Sequence, residues 1–226
     1  MNKFYLQILI ISLVAGICLL AFNQTSAQVI PEFLVSWQAI NYVPPSYQGK
    51  ILPTKSSLIE VGFDLIDNAK IADLSKYKIS WTLDDELFKS GLGLKTIRFN
   101  SKNTGHRLGI TVSGYKGANL DKILTFSRQE PQVIIDAKIP STQIGLGQHQ
   151  LEALPYFFNV SDLKELVFDW STNDQPAKTA ENPQIFDLIL ESKGAPVETN
   201  LNISVSVINS SNALEYGGKK INLTVK

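Results

Sequence analysis

Short segments in which apolar and polar residues alternate recur along the chain from residue 33 onward. In the first segment, at 33–40, the odd positions form one apolar set. Similar alternation occurs at 59–65, 77–83, 108–112 and 201–207. A period of two is typical of a β-strand that buries one face, and no helical period extends beyond the N-terminus. The pattern therefore predicts an all-β chain of short strands separated by turns.

One of these stretches occurs twice. Three residues of the first copy recur 89 positions later, as the pairs Asp73 and Asp162, Leu74 and Leu163, and Trp81 and Trp170. Further on, 110–113 matches 203–206 with an offset of 93, which places a few extra residues in the loops of the second unit. The repeat predicts two tandem units, at 28–128 and 131–226, with Trp81 and Trp170 as the anchors of their cores.

Turn residues suggest how the strands connect. Residues 100–105 are rich in Asn, Ser and Gly and predict a tight hairpin, and Gly217-Gly218 predicts a turn before the last strand at 221–225. The link at 127–131 is too short for a flexible tether, so we expect two domains in contact at a restricted angle.

The N-terminal segment has the features of an export signal. Lys3 precedes an apolar run at 4–22, and small residues at 25–27 predict cleavage after Ala27. The run is also close to the roughly 20 residues that span a bilayer, so an uncleaved N-terminal anchor is the alternative. Both interpretations predict an exported protein, either secreted or at the cell surface.

The composition of the chain excludes several classes of function. Lys plus Arg and Asp plus Glu number 21 each, so the chain has no electrostatic footprint for nucleic acid. Cys18 is the only cysteine and lies in the predicted signal, which excludes disulfides and cysteine-based metal sites from a cleaved product. His106 and His149 lie in different units, and no catalytic or phosphate-binding motif is present. We therefore predict a non-enzymatic protein with no catalytic, cofactor-binding or metal-binding residues and no cofactor.

The acidic run at 84–86 has two interpretations. Three neighbouring acidic residues could offer oxygen ligands to calcium, or they could simply favour the turn after a strand. The second unit retains only Asp174 at the matching place, which favours the turn.

Aromatic residues near the first loop are the candidate ligand contacts. Trp37, Tyr42 and Tyr47 could form a platform for sugar rings or for a partner protein. Trp37 also fits the alternation of a buried residue, and the two tyrosines flank Pro44-Pro45 and could pack against them. Tyr42 and Tyr47 are the predicted ligand-contact residues, because binding surfaces of sandwiches concentrate in loops.

The chain resembles known sandwich families. A Trp in the third strand, a later alternating strand and a closing strand resemble an immunoglobulin-like fold without its cysteine pair. More narrowly, 79–85 followed by a Gly-containing hairpin and a strand at 105–112 is similar to PKD-like and bacterial Ig-like domains of exported surface proteins. The expected fold is all-β, with two tandem immunoglobulin-like (Greek-key) β-sandwiches after the signal or anchor helix at 1–27.

The resemblance implies a structural, adhesive or protein-interaction module at the cell surface. The alternative is a carbohydrate-binding surface protein that uses Tyr42 and Tyr47. The implied partner is a protein or glycan component of the cell envelope and not a nucleic acid. Contact with a membrane is expected only through residues 4–22, and only if that segment is uncleaved.

Overall fold

The computed structural model describes residues 30–102, 105–138, 142–177, 181–191 and 199–226. The predicted signal or anchor at 1–27 and its cleavage point lie outside these residues. Among the described residues, none of the helices has the length and apolar character that crossing a membrane requires.

The described residues of the first half form eight strands: β1 (Glu32–Ile40), β2 (Leu58–Asp67), β3 (Lys70–Ile71), β4 (Lys78–Leu83), β5 (Glu86–Leu92), β6 (Thr96–Asn100), β7 (His106–Tyr115) and β8 (Ala118–Phe126). They form one sheet of β1, β2 and β3, with β6 also paired to β2, and a second sheet in the order β5-β4-β7-β8. Phe63 of the first sheet and Trp81 of the second are both buried, with ring centroids 5.6 Å apart. The two sheets therefore pack face to face around a shared apolar core.

The second half follows the same plan, with the strands β9 (Gln132–Asp136), β10 (Gln143–Ile144), β11 (Gly147–Tyr156), β12 (Leu166–Thr172), β13 (Gln175–Pro176), β14 (Ile185–Leu190), β15 (Thr199–Asn209) and β16 (Asn212–Val225), and a 3-10 helix at Leu163–Glu165. Its sheets have the orders β14-β11-β9 and β10-β16-β15-β12-β13. Trp170 stacks on Phe186 of the opposite sheet at 5.3 Å, inside one buried cluster. The fold is thus all-β, with two tandem immunoglobulin-like Greek-key sandwiches.

One compact unit is made of residues 33–64 and 73–226, and it holds the second sandwich and most of the first. Of the described residues, Leu65–Ala72 and 30–32 belong to a separate smaller unit. In that unit the turn between β2 and β3 places Asn68 and Ala69 at positive φ, and the amide of Ala72 donates to the carbonyl of Leu65 at 2.8 Å. The bounds 28–128 and 131–226 of the two domains stay a prediction.

The repeated stretch has the same local geometry in both copies. The carboxylates of Asp73 and Asp162 each accept the backbone N–H two residues later, at 2.9 Å. This Asx turn ends the loop and starts the strand that carries the tryptophan. The indole N–H groups of Trp81 and Trp170 each donate to a carbonyl thirteen residues later, that of Leu94 at 2.8 Å and that of Pro183 at 3.0 Å.

The predicted offset of 93 between 110–113 and 203–206 is wrong. Trp81 pairs with Ile110, whereas Trp170 pairs with Val205, so the true offset on these strands is 95. A slip of two residues keeps every apolar side chain on the buried face. Alternation alone therefore matches either register equally well.

The hairpin predicted at 100–105 is also wrong. β6 pairs with β2, whereas β7 pairs with β4 and β8, so this connection crosses from one sheet to the other. Turn residues favour a change of direction, but they do not determine which strands pair.

Gly217 and Gly218 form no turn, because β16 runs through them and its hairpin turn lies at Ser210 and Ser211. A Cβ on Gly217 would lie 3.0 Å from the carbonyl oxygen of Pro131 and 3.4 Å from the ring of Phe158. The glycine therefore permits a close approach inside a strand, which is the other common reason for glycine in a sheet.

Candidate functional site at the joint of the two sandwiches

The loop after β1 contacts the loop after β11, and this contact joins the two sandwiches. The amide of Tyr42 donates to the carbonyl of Phe158 at 2.7 Å, and the amide of Phe157 donates to the carbonyl of Tyr42 at 2.8 Å. This reciprocal pair is a single antiparallel bridge between the two halves of the chain.

The two predicted ligand-contact residues lie at this joint. Tyr42 is half-buried and packs against the C-terminal core. The ring of Tyr47 meets the rings of Tyr156 and Phe157 edge-on at 5.6 and 5.7 Å, and its hydroxyl donates to the carbonyl of Lys50 at 3.0 Å. Both side chains therefore have partners within the protein, and their contact with a ligand stays a prediction.

Trp37 is half-buried and does not join the two tyrosines in one platform. Its ring meets Phe126 edge-on at 4.9 Å, and the ammonium of Lys50 lies 3.3 Å from its centroid. Burial lowers the pKa of the Lys50 ammonium. The cation–π contact covers one face of the Trp37 ring.

Buried polar groups extend the joint beyond the aromatic contact. The side-chain amide of Asn41 donates to the carbonyls of Leu52 at 2.8 Å and Phe157 at 3.2 Å, and so connects both sandwiches. Thr54 is also buried, and its hydroxyl lies 2.9 Å from that of Ser57. Among the described residues, the side-chain oxygen of Asn41 has no hydrogen-bond partner.

Glu215 of β16 is the central group of the joint and is 5% exposed. Its carboxylate accepts the side-chain amide of Asn209 at 2.6 Å and the backbone N–H of Asn159 at 2.7 Å, and the hydroxyl of Thr54 lies at 3.4 Å. A carboxylate without a proton can only accept hydrogen bonds, and the three groups around Glu215 are all donors. Because an unpaired buried donor is costly, this arrangement favours one relative orientation of the loops it joins.

Sequence reasoning missed Glu215 and Asn41. The segment 214–216 has a buried Glu between an exposed Leu and an exposed Tyr, the inverse of a normal strand. In the sequence, Glu215 shares the odd-numbered alternation of Leu223 and Val225, and this register could have indicated a polar residue on the buried face.

An open groove of about 580 Å³ lies beside the joint, with Ile40, Tyr42 and Leu58 on one side and Asn159 and Glu165 on the other. Burial, followed by the negative charges of Asp162 and Glu152, raises the pKa of the Tyr42 hydroxyl. None of the described residues that line the groove is basic. Its surroundings therefore disfavour an anionic ligand.

The histidines and the acidic run form no catalytic arrangement. The backbone N–H of Lys102 donates to Nε2 of His106 at 2.9 Å, so Nδ1 carries the proton and donates to Asp84 at 2.9 Å. Both ring nitrogens are therefore used in structural bonds. His149 lies elsewhere, with Nε2 2.8 Å from the carbonyl of Gly145.

The acidic run forms a turn. Asp84 and Asp85 have φ values of 53° and 70°, and Asn173 and Asp174 have φ values of 49° and 63° at the equivalent turn. Asp84 accepts the amide of Arg107, and Asp85 pairs with the guanidinium of the same residue. In the part of the chain that the structure describes, no three potential ligand side chains come together to hold a metal.

Neither a protein-family model nor a curated protein sequence matches the chain. Solved structures resemble it at low identity. The fibronectin(III)-like modules of Clostridium thermocellum CbhA are 14% identical over 85% of this chain and 94% of that one, with a TM-score of 0.30. Three N-terminal domains of the outer capsid protein Hoc of bacteriophage RB49 are 12% identical over 86% and 59%, with a TM-score of 0.42.

The Bacteroides ovatus protein SGBP-B, solved with a mixed-linkage heptasaccharide, is 12% identical over 84% of this chain and 47% of that one, with a TM-score of 0.26. This chain thus spans about half of SGBP-B and about three fifths of the Hoc structure. At these identities and TM-scores, the likeness carries no argument about function.

Proposed function

We propose that this chain is an exported, non-enzymatic surface protein built from tandem bacterial Ig-like domains. Its two sandwiches act as one unit that presents a fixed surface to a protein or glycan of the cell envelope. The observation that carries the proposal is the joint, where buried Glu215 accepts hydrogen bonds from Asn209 and Asn159 and lies near Thr54 of the other sandwich.

A buried joint suits a protein that presents a surface. Neighbouring domains move relative to each other by default unless their contact is well packed. Here aromatic rings and buried hydrogen bonds combine in the contact, as for Tyr47 with Phe157 and for Asn41 with the Phe157 carbonyl. A fixed orientation lowers the entropic cost of binding through surfaces on both sandwiches.

The non-enzymatic part of the proposal rests on the side chains that could do chemistry. Both nitrogens of His106 make structural bonds, and Asp84 and Asp85 are paired with basic groups. A catalytic site needs a nucleophile, acid or base that is positioned toward a substrate. Among the described residues, no three His, Cys, Asp or Glu side chains come together to hold a metal, and Nε2 of His149 lies 2.8 Å from the carbonyl of Gly145.

Export is proposed from the segment at 1–27, whose apolar run and small residues match a signal peptide. The test is expression of the full chain in a bacterium, followed by cell fractionation, intact mass and N-terminal sequencing. We expect either a product that begins at Gln28 in the medium or an uncleaved chain in the membrane that added protease digests from outside. Full-length protein confined to the cytoplasm would contradict the proposal.

Binding is tested with the exported form immobilised on beads and exposed to solubilised cell-envelope material. We expect envelope components to be retained by the parent and retained less by Glu215→Ala, in which the joint is weakened. The matched control is Glu130→Ala, which removes an exposed carboxylate of the link that pairs with Arg128 and leaves the hydrogen bonds of Glu215 in place. Equal retention by both variants and parent would show that a fixed joint is not needed.

A further inference from the structure

The outer face of the sheet formed by β12, β15 and β16 carries an exposed apolar row. Val167 lies opposite Ile208, and Ile208 lies opposite Tyr216, so the three side chains are neighbours across three strands. Val167 is 46% exposed and Tyr216 is 64% exposed. Facing residues on antiparallel strands lie about 4.5–5.5 Å apart, so the row is continuous.

A polar trough lies beside this row. The next positions along the same strands are Asp169, Ser206 and Gly218, which also lie opposite one another. Gly218 contributes no side chain, and an open trough of about 720 Å³ extends over Asp169, Ser206 and the hydroxyls of Ser171 and Ser204. The apolar row and the polar row are about 6.7 Å apart along the strands.

The trough has unused hydrogen-bonding capacity. Within the described part of the chain, the carboxylate of Asp169 and the hydroxyl of Ser206 have no hydrogen-bond partner. The hydroxyls of Ser171 and Ser204 lie 2.7 Å apart, which uses one of their two protons and leaves the other for a ligand. Lys220, at the end of the trough, pairs with Asp174 at 3.3 Å.

The N-terminal sandwich is an internal control for this face. The two sandwiches are aligned on the paired strands that carry Trp81 and Trp170. In this alignment Lys78 takes the place of Val167, and Ser113 takes the place of Ile208. Thr111 takes the place of Ser206, and the residue opposite it is Asp121, whereas the residue opposite Ser206 is Gly218. The carboxylate of Asp121 accepts the hydroxyl of Thr111 at 2.5 Å. The shared scaffold therefore requires neither the apolar row nor the open trough.

We propose that this face, defined by Val167, Ile208, Tyr216, Asp169 and Ser206 and called here the Tyr216 face, binds a neutral carbohydrate. A sugar ring places its apolar C–H side on Tyr216 and the adjacent aliphatic groups. Its hydroxyls donate to Asp169 and exchange hydrogen bonds with Ser206. The proposal rests on the proposed function, because it names the ligand class of the presented surface.

Charge decides between ligand classes. The carboxylate of Asp169 repels phosphate, nucleic acid and acidic glycans, while the charge of Lys220 is balanced by Asp174. A neutral polyol donates hydroxyl protons to the carboxylate without an opposing charge. A few polar groups beside an aromatic surface are the usual composition of a small-molecule site.

The test is affinity electrophoresis of the exported chain through gels that contain soluble neutral β-glucan, xyloglucan or galactomannan. We expect at least one of these polysaccharides to retard the parent. Tyr216→Ala should weaken that binding about tenfold or more, since it removes the stacking surface. Asp169→Asn should weaken it less, because the amide retains one acceptor. Both residues are exposed, so an unchanged Tm verifies that the variants fold.

The matched control is Lys78→Ala on the equivalent face of the N-terminal sandwich, which should leave the retardation unchanged. The carbohydrate assignment is overturned if none of the three polysaccharides retards the parent, or if Tyr216→Ala binds as the parent does. If envelope protein is retained through Tyr216 while no polysaccharide binds, the ligand is a protein and only this assignment fails. A chain that stays in the cytoplasm and retains no envelope material contradicts the proposed function itself.

Discussion

The two sandwiches have equivalent interiors and different surfaces. In each, an Asp caps the turn before the central strand, and a buried Trp donates to a carbonyl thirteen residues later. The edge strands differ, because β5 spans seven residues, whereas its counterpart β13 spans two and includes Pro176. The interior is fixed by packing, whereas surface positions can change without loss of the fold. A feature present on only one surface, such as the Tyr216 face, is therefore not required by the shared fold.

The largest test of the shared interior is removal of each tryptophan. Trp81→Ala and Trp170→Ala should each lower the free energy of unfolding by about 3–5 kcal/mol, because each leaves a cavity and an unpaired carbonyl. Equilibrium denaturation in urea measures the effect. Trp37→Ala, at a half-buried position, is the control and should cost less. A small loss for one of the buried tryptophans alone would break the equivalence of the two cores.

The joint is a contact between the two sandwiches, so neither sandwich alone contains it. Its contribution to stability is tested with Glu215→Ala. The variant leaves the amides of Asn209 and Asn159 without their acceptor, and we expect a loss of about 1–3 kcal/mol. Glu130→Ala, which removes an exposed ion pair, should cost at most about 0.5 kcal/mol. Similar Tm values for the two variants would mean that the buried carboxylate of Glu215 stabilises the fold no more than the exposed carboxylate of Glu130 does.

Gly217 and Gly145 differ in how much space an added methyl group would have. A methyl group at Gly217 would lie 3.0 Å from the Pro131 carbonyl oxygen and 3.3 Å from Val133, so Gly217→Ala should cost about 1–2 kcal/mol. Gly145→Ala is the control, since no atom lies within 4 Å of its added Cβ. Equal denaturant midpoints for the two variants would show that the strand shifts freely at Gly217.

The smallest effect concerns the equivalent turns that carry Asp84 and Asn173. Burial raises the pKa of Asp84, but hydrogen bonds from Arg107 and His106 and the charge of Lys102 outweigh it and hold the pKa below 3.8. Its ionised form therefore stabilises the fold above that pH, and the contribution is lost as the pH falls through the lowered pKa.

Asp84→Asn gives the first turn the residue of the second. Its Tm should be lower than that of the parent at pH 7, and the difference should shrink as the pH falls below 3.8. Thermal unfolding followed by circular dichroism from pH 7 to pH 2.5 measures this difference. A difference that stays constant over that range would mean that Asp84 does not stabilise through its charge.

Period-two alternation predicted the strands that bury one face, because burial of every second residue leaves a direct trace in the sequence. It did not predict that β6 and β7 lie in different sheets, since pairing is a long-range choice. The Gly217-Gly218 pair was ambiguous because glycine serves both turns and close approaches. At the site, Tyr42 and Tyr47 were identified from composition, but Glu215 was not, because a polar residue in a strand normally predicts exposure.

The most direct test of the central claim, that the joint makes the two sandwiches one body, is differential scanning calorimetry of the exported chain and of Glu215→Ala. We expect a single transition for the parent, with equal calorimetric and van't Hoff enthalpies, and for the variant a calorimetric enthalpy that exceeds the van't Hoff enthalpy, because the coupling between the sandwiches is weakened. Two resolved transitions in the parent would contradict it, because the sandwiches would then unfold independently despite the joint.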